Sequence, residues 1–323
     1  MAPSPATSGG RISRRAAVGG GLGAAALGVL VGCEALERKT STSTGAGTSA
    51  TPPSSTSTRV TPQPVQTPRG SGEPMPQGDL AGWKQVIAED FTTDVGVGGF
   101  VVGDDGLLTD SCAAHAAYGS RLSGYQDGPT DNGGLYRVAR TVSVTDSILD
   151  IHTRTDPVTG KLLSAAIYPF RAGQPSNAHT YGRWSYRLRS LDATGTGIIC
   201  VSLLFPERKQ DWPRSGEMDW PECDVSGAVG GNHHPAGYRT NMAEQISGLG
   251  LRLRDWHTFT LDWRKGSLSY LVDGITAFST KTHVPSGSLK WDIQCSPDPA
   301  RRTLPRNLSA HVQLDWVVAY DPA

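Results

Sequence analysis

The sequence predicts an all-β domain, a curved antiparallel β-sandwich, over residues 80–323 of the 323-residue chain. Two observations predict this fold class. Short runs rich in β-branched and aromatic residues recur between Gly, Asp, Asn or Pro, whereas apolar residues at helical spacing never continue for long. In addition, Asp273-Gly274 separates two apolar runs, which is a strong hairpin signal. One curved sheet would present a concave face long enough to hold a polymer.

The individual strands are predicted from these runs. The clearest are Val142–His152, Leu162–Tyr168, Arg183–Arg189, Ile198–Phe205, Trp256–Trp263 and Ser267–Val272. Many short strands joined by turns are typical of two packed antiparallel sheets in one domain.

Residues 1–33 are expected to be a signal peptide, which has to be kept apart from the fold. Three arginines precede its apolar part: Arg11, Arg14 and Arg15. The segment closes on Leu30-Val31-Gly32-Cys33, which resembles the lipobox of bacterial lipoproteins, and Ser13-Arg14-Arg15 resembles a twin-arginine signal. Cys33 would then be lipidated, and the protein would be exported to the outer face of the cell membrane. The alternative is an ordinary signal peptide followed by an unrelated cysteine, which predicts an extracellular protein.

Residues 34–79 consist mostly of Ser, Thr, Pro and Gly, and such a composition buries too little apolar surface to fold. We therefore predict a flexible linker between Cys33 and the folded domain. The formal net charge of the chain is zero, so no nucleic-acid partner is expected. Membrane contact is expected through the lipid anchor only, and the protein is expected to be a monomer.

Apart from Cys33, the chain has an even number of cysteines: Cys112, Cys200, Cys223 and Cys295. In an exported protein, two disulfides in any of three pairings would be consistent with this number. Free buried thiols are the alternative, because twin-arginine substrates fold in a reducing compartment before export.

Three carboxylic acids lie close together in the segment 217–222. On a regular strand, Glu217 and Asp219 point to one face and Glu222 points to the other. A β-bulge at Trp220-Pro221 would return Glu222 to the first face, and a proline suits that place because a bulged residue need not donate to the neighbouring strand. The sequence thus predicts three carboxyl groups in a row on one face.

Crowded acids acquire different pKa values. That difference suits the cleavage of a glycosidic bond with retention of configuration, in which one ionised carboxylate attacks and one protonated acid assists the leaving group. The pattern alone also fits a surface strand whose acids face solvent or bind calcium.

The motifs around these acids resemble glycoside hydrolase family 16, the laminarinase- and lichenase-like family of concanavalin A-like jelly rolls. The resemblance rests mainly on Trp212–Glu222 and Trp256–Trp263, and further on Gly182–Arg187, Tyr270–Gly274 and Leu314–Tyr320. It implies a concave substrate cleft and an endo-acting enzyme that cleaves β-1,3- or mixed-linkage β-1,3/1,4-glucan. It also implies that catalysis needs no metal or organic cofactor.

By this resemblance, Glu217 is the nucleophile and Glu222 the general acid/base, while Asp219 tunes the nucleophile through a hydrogen bond. Two other readings remain open: a transglycosylase that remodels polysaccharide, and a carbohydrate-binding envelope lipoprotein without activity.

The resemblance also implies substrate-binding residues, because sugars are held by aromatic rings and planar polar groups. The candidates are Trp212, Trp220, Trp184, His233, His234 and Gln294. A tryptophan of a sandwich can also belong to the core. One imidazole of the histidine pair is expected to face the cleft, unless the pair lies in a loop, whereas His257 is expected to be structural.

A structural calcium ion on the convex side is the remaining expectation. Asp90 and Asp315 match positions where many relatives hold such an ion, and two acids together with backbone carbonyls supply the hard oxygen ligands that calcium prefers.

Overall fold

The computed structural model describes residues 70–174, 176–301 and 303–323, and two packed β-sheets account for nearly all of its secondary structure. The strands are β1 (Trp83–Glu89), β2 (Leu122–Gly124), β3 (Gly128–Pro129), β4 (Leu135–Tyr136), β5 (Val142–Thr145), β6 (Ile148–Thr155), β7 (Leu162–Ser164), β8 (Ala166–Pro169), β9 (Ala178–His179), β10 (Gly182–Leu191), β11 (Ile198–Pro206), β12 (Glu217–Asp224), β13 (Gly231–His234), β14 (Glu244–Ile246), β15 (His257–Arg264), β16 (Ser267–Val272), β17 (Ile275–Thr280), β18 (Leu289–Pro297) and β19 (Ser309–Pro322). The helical elements are α1 (His115–Tyr118), α2 (Val138–Thr141) and one 3-10 turn (Lys209–Asp211). The predicted all-β sandwich is confirmed.

The two sheets differ in size. The outer sheet has eleven strands in the main order β17-β16-β15-β10-β19-β6-β7-β4-β3, with β1 paired to β19 and β5 paired to β6. The second sheet, called the cleft sheet below, has eight strands in the main order β14-β13-β12-β11-β18-β8-β2, with β9 paired to β18. In the cleft sheet β12 lies between β11 and β13 and is antiparallel to both, so the acidic segment runs through the middle of a sheet.

The core lies between the sheets and is rich in aromatic rings. Trp220 of the cleft sheet packs against Phe259 of the outer sheet, with ring centroids 5.6 Å apart, and Trp291 packs against Tyr186 at 5.8 Å. All four side chains are fully buried. Because each such ring removes roughly 150–250 Å² from water at about 25 cal/mol per Å², these contacts hold the sheets together.

Two hydrogen bonds connect the sheets directly beneath the acidic segment. The Tyr186 hydroxyl donates to the Trp220 carbonyl, and the Trp220 indole N–H donates to the Leu271 carbonyl at 2.7 Å. Buried backbone polar groups need such partners. The strand that carries the acids is therefore attached to the outer sheet as well as to its neighbours.

Two of the predicted strands are each divided into two. The run 142–152 turns between β5 and β6 at Asp146 and Ser147, both of which have positive φ. The run 162–168 is interrupted between β7 and β8, so that β7 joins the outer sheet and β8 the cleft sheet. Apolar composition predicted strand in both runs, but it does not indicate where a chain passes from one sheet to the other.

The boundary of the folded domain is earlier than residue 80. Ser71 donates a hydrogen bond to the Asp315 carboxylate, Glu73 lies 2.7 Å from the Arg187 guanidinium, and Met75 packs against a buried cluster on the outer sheet. The prediction that the whole of 34–79 is a flexible linker is therefore wrong for 71–75, where polar residues find partners on strands that composition cannot reveal.

The predicted signal peptide, Cys33 and linker residues 34–69 lie outside the described residues. Among the helices that are described, none has the length and apolar character needed to cross a bilayer.

The four cysteines of the described region are free thiols. Cys200 on β11 lies opposite Cys223 on β12 and opposite Cys295 on β18, so three thiols form a row across adjacent strands, on the core side of the cleft sheet. The sequence left open two disulfides or free thiols, and the structure shows free thiols.

Candidate active site

The predicted β-bulge is present in β12. Asp219 lies opposite Leu203 of β11, but Glu222 lies opposite Val201, so three steps on β12 match two on β11. The additional residue lies at Trp220-Pro221, where the peptide bond is cis. The bulge restores the alternation of the side chains, and Glu217, Asp219 and Glu222 therefore share the face of the cleft sheet that points away from the core.

Glu217 is held at the first position of β12 by an aromatic donor. The Trp212 indole N–H donates to the Glu217 Oε2 at 2.6 Å. Trp212 comes from the 3-10 turn region that precedes β12, and it is partly exposed beside the acids. A hydrogen bond to a carboxylate stabilises its ionised form, which is the form that a nucleophile needs.

Asp219 is paired with His234. The Asp219 Oδ2 lies 3.1 Å from the Nε2 of His234, a residue of β13, while the Asn241 side-chain oxygen lies 2.7 Å from its Nδ1. Burial raises the pKa of Asp219, the charge of Glu222 adds to this, and His234 opposes it, which leaves that pKa at about 6. Burial lowers the pKa of His234, but the hydrogen bond and charge of Asp219 outweigh it and raise that pKa to about 10. At neutral pH the two side chains therefore form an ion pair.

The pKa of Glu222 lies above the ordinary value of a glutamate. Burial raises its pKa and the charge of Glu217 raises it further, while an amide hydrogen bond from Asn232 of β13 lowers it. Glu217 and Glu222 thus have opposite environments on one strand: an N–H donor stabilises the charge of one, and burial disfavours the charge of the other. Such a separation of environments is what a nucleophile and an acid require of a pair of carboxyl groups.

Glu217, Asp219 and His234 are also the one cluster of three potential metal ligands among the described residues, with ligand atoms within 4.8 Å of one another. Within this cluster, the His234 Nε2 and the Asp219 Oδ2 lie 3.1 Å apart and form the ion pair described above.

A cavity of about 890 Å³ extends from Glu217 across β11, β18, β8 and β2. Its floor includes Leu203 and Gln294, and the Gln294 side-chain oxygen accepts a hydrogen bond from the Tyr136 hydroxyl at 2.5 Å. The expected cleft-side position of Gln294 is thus confirmed. On the far side, the loop at 104–106 and the segment 125–131, which contains β3, form the wall.

The sequence interpretation missed Tyr125 and Asp292. Tyr125 follows β2 and lines the cavity with 37% of its surface exposed, and its hydroxyl donates to the buried carboxylate of Asp292 at 2.6 Å. Burial raises the pKa of Asp292 to about 7, and the charges of Glu217 and Asp219 add to this, while the Tyr125 hydrogen bond and Lys290 oppose it. An aspartate within the apolar strand 289–295 was the available signal.

Three of the expected sugar-binding residues lie in the core instead. Trp220 packs between Phe259 and Tyr270, Trp184 lies 6.1 Å from Trp263, and both indoles are fully buried. His233 is also fully buried, and burial lowers its pKa to about 4, so it is neutral. These expectations are wrong. Trp220 and His233 alternate with cleft-facing neighbours on their strands and therefore face the core, whereas Trp184 lies on β10 of the outer sheet.

Trp212 and His234, by contrast, do lie at the site, and His234 is the imidazole of the pair that binds an acid. His257 is structural as expected: its ring contacts the Asp273 carboxylate at 2.7 Å and the Arg252 carbonyl at 3.2 Å.

Asp315, one of the two acids expected to bind calcium, has a protein partner. Asp315 accepts a hydrogen bond from Ser71, and Asp90 follows the end of β1. Calcium binding by this pair stays a prediction.

Part of the chain is similar in sequence to known proteins. Residues 167–298 match the model of the family described as Glycosyl hydrolases family 16. The chain is 27% identical over 131 residues to a beta-glucanase of Bacillus amyloliquefaciens, which covers 39% of this chain and 52% of that protein. A beta-glucanase of Paenibacillus polymyxa is 26% identical over 132 residues, again 39% and 52% of the two chains. The matched part spans about half the length of these relatives.

Solved structures share the fold. A beta-glucanase of Bacillus licheniformis superposes with a TM-score of 0.53 at 16% identity, over 73% of this chain and 98% of that chain. SCLam, a non-specific endo-beta-1,3(4)-glucanase from family GH16, superposes with a TM-score of 0.54 at 17% identity, over 81% and 98%.

Proposed function

We propose that this chain is a retaining, endo-acting glycoside hydrolase of family 16 that cleaves β-1,3- or mixed-linkage β-1,3/1,4-glucan. The observation that carries the proposal is the bulge in β12, because it brings Glu222 to the face of Glu217 while the two acids keep opposite environments. The match of residues 167–298 to family 16 and the similarity to β-glucanases support the substrate class.

In the proposed reaction, Glu222 donates its proton to the glycosidic oxygen as the bond to the anomeric carbon breaks. Glu217 attacks that carbon from the opposite face and forms a glycosyl ester. Glu222, now ionised, removes a proton from water, which releases the sugar from Glu217 with retained configuration. The charge of Glu217, which returns when the ester breaks, raises the pKa of Glu222 and so favours return of the proton to Glu222.

The charge of the cavity favours a neutral polysaccharide. Its lining acids are Asp104, Asp105, Asp127, Asp131, Glu207 and Glu217, and its lining lysines are Lys209 and Lys290. Because acids outnumber lysines, the cavity repels sulfated or uronic acid-rich chains, and a glucan meets no such barrier.

A panel of laminarin, lichenan and agarose tests the proposal. Wild type is expected to release oligosaccharides from laminarin or lichenan, whereas Glu217→Gln and Glu222→Gln release none. Glu244→Gln is the matched control, since Glu244 is an exposed acid of the same sheet. Equal signal from wild type and Glu217→Gln would instead indicate binding without catalysis. Adding an acceptor sugar and analysing the products separates hydrolysis from transglycosylation.

We also propose export and lipid attachment at Cys33, on the basis of the lipobox-like sequence. Labelled palmitate should enter the wild-type protein in a bacterial host and should not enter Cys33→Ala. Label in both, or in neither, would contradict the attachment.

A further inference from the structure

The ring of Tyr125 lines the cavity, whereas its hydroxyl group is buried in the protein. Its ring is exposed where it lines the cavity, and its centroid lies 5.4 Å from that of Tyr136 and 6.3 Å from that of Tyr168. Its hydroxyl, however, is buried against the carboxylate of Asp292. The exposed part of this side chain is therefore apolar ring, held from beneath by a polar contact.

The carboxyl group of Asp292 is buried in a position where it destabilises the fold. It lies on β18 opposite Leu203, which in turn lies opposite Asp219 on β12, and only 1% of its surface is exposed. Its Oδ2 accepts the Tyr125 hydrogen bond, while its Oδ1 has no partner among the described residues. Burying a carboxyl group with half of its hydrogen-bonding capacity unused destabilises a fold relative to an apolar side chain of the same size.

A contribution to stability therefore does not explain this aspartate. The hydrogen-bonded neighbour that the structure gives it is Tyr125, a cavity residue that follows another strand and is 167 residues away in sequence. Besides its charge coupling to Glu217 and Asp219, Asp292 therefore acts on the cavity through that ring.

We propose that Asp292 is a positioning residue of the substrate cleft, whose hydrogen bond from Tyr125 fixes the Tyr125 ring as a platform for one glucosyl unit of the bound polysaccharide. A sugar stacks its C–H face on an aromatic face only when the ring plane is set. A tyrosine without its terminal hydrogen bond rotates in a wide cavity, and binding then has to order it. The carboxylate removes that cost before the substrate arrives.

The proposal rests on the proposed function, and three variants of the full chain test it on laminarin and lichenan. Tyr125→Phe keeps the ring and removes the hydrogen bond. Asp292→Leu removes the acceptor at similar volume. Asp292→Asn keeps an acceptor oxygen for the Tyr125 hydroxyl and is the rescue variant.

We expect KM to rise about three- to tenfold in Tyr125→Phe and in Asp292→Leu, with kcat within about twofold of wild type, because stacking acts on binding. Asp292→Asn should stay within about twofold of wild type in both constants. The matched control is Tyr118→Phe, which removes a tyrosine hydrogen bond to the Thr93 carbonyl at 2.5 Å in the core and should leave KM unchanged. The dissociation constant of laminarin or lichenan, measured calorimetrically at a temperature where each variant is folded, should follow KM.

Three results would overturn the proposal: an unchanged KM in Tyr125→Phe, an Asp292→Asn variant as impaired as Asp292→Leu, or losses that fall on kcat alone. A melting temperature for each variant separates these results from unfolding. If wild type neither cleaves nor binds either glucan, the proposed function fails and this inference fails with it. If wild type cleaves a glucan and the KM of Tyr125→Phe is unchanged, only this inference is refuted.

Discussion

Replacing Trp220 with Phe should lower the stability of the protein and leave substrate binding unchanged. The indole N–H donates to the Leu271 carbonyl at 2.7 Å, and the ring is fully buried between Phe259 and Tyr270. Leaving that buried carbonyl without a donor costs about 1–3 kcal/mol. The roughly 40 Å³ lost on going to Phe adds about 1 kcal/mol at about 24 cal/mol per Å³ of cavity.

The expected loss is therefore about 2–4 kcal/mol, which corresponds to about 4–16 °C in melting temperature for a domain of this size. Differential scanning calorimetry measures it, and KM on laminarin or lichenan is determined well below the transition. Trp212→Phe is the matched control: the same exchange at a partly exposed indole should shift the melting temperature by less than about 2 °C and alter the kinetics instead. A Trp220→Phe variant of normal stability with a raised KM would show that this indole reaches the sugar, and the argument from strand alternation would then be wrong.

Three further predictions concern charge. Asn232→Ala removes the amide that donates to Glu222, so the pKa of Glu222 rises further. The alkaline limb of the pH profile of kcat/KM should then move to higher pH. An alkaline limb that stays or moves to lower pH contradicts the proposal that Glu222 is the general acid. His234 has a pKa of about 10 in the fold against 6.5 as the ordinary value, so its contribution to stability is present at pH 6.5 and is lost towards pH 10. Below about pH 6 Asp219 takes up a proton, and the ion pair is lost on that side too. The melting temperature of wild type should therefore exceed that of His234→Gln most at pH 6.5, and a difference constant up to pH 10 would refute the pairing. Carboxymethylated glucan should be cleaved more slowly than neutral glucan at low salt, with the gap narrowing as salt is added; a gap independent of salt would indicate a steric cause.

The part of the site that depends on residues adjacent in sequence, namely the bulge and the three carboxyl groups, could be predicted. The alternation of side chains along a strand and the proline after Trp220 were sufficient to place the bulge, and with it the three carboxyl groups on one face. The same alternation places Trp220 on the opposite face, which the prediction that it binds sugar does not take into account. Trp184 differs, because its strand belongs to the outer sheet, and no local pattern assigns a strand to a sheet.

Contacts between distant segments could not be predicted. Tyr125 meets Asp292, and Ser71 meets Asp315, across 167 and 244 residues of sequence. The composition of 70–79 indicates only that the segment cannot form a core of its own. It does not show that strands formed elsewhere offer it a guanidinium and a carboxylate.

The attachment of β12 to the outer sheet has a consequence for how this protein can change over evolutionary time. The three acids of β12 are supported from below by Tyr186 and Trp220, whereas the cavity wall is formed by the loop at 104–106 and by the loops around β3 in 125–131. Substitutions, insertions and deletions in these loops can alter which glucan fits without disturbing the support of the acids. The chemistry is therefore inherited with the core, while the preference for a polymer is free to diverge.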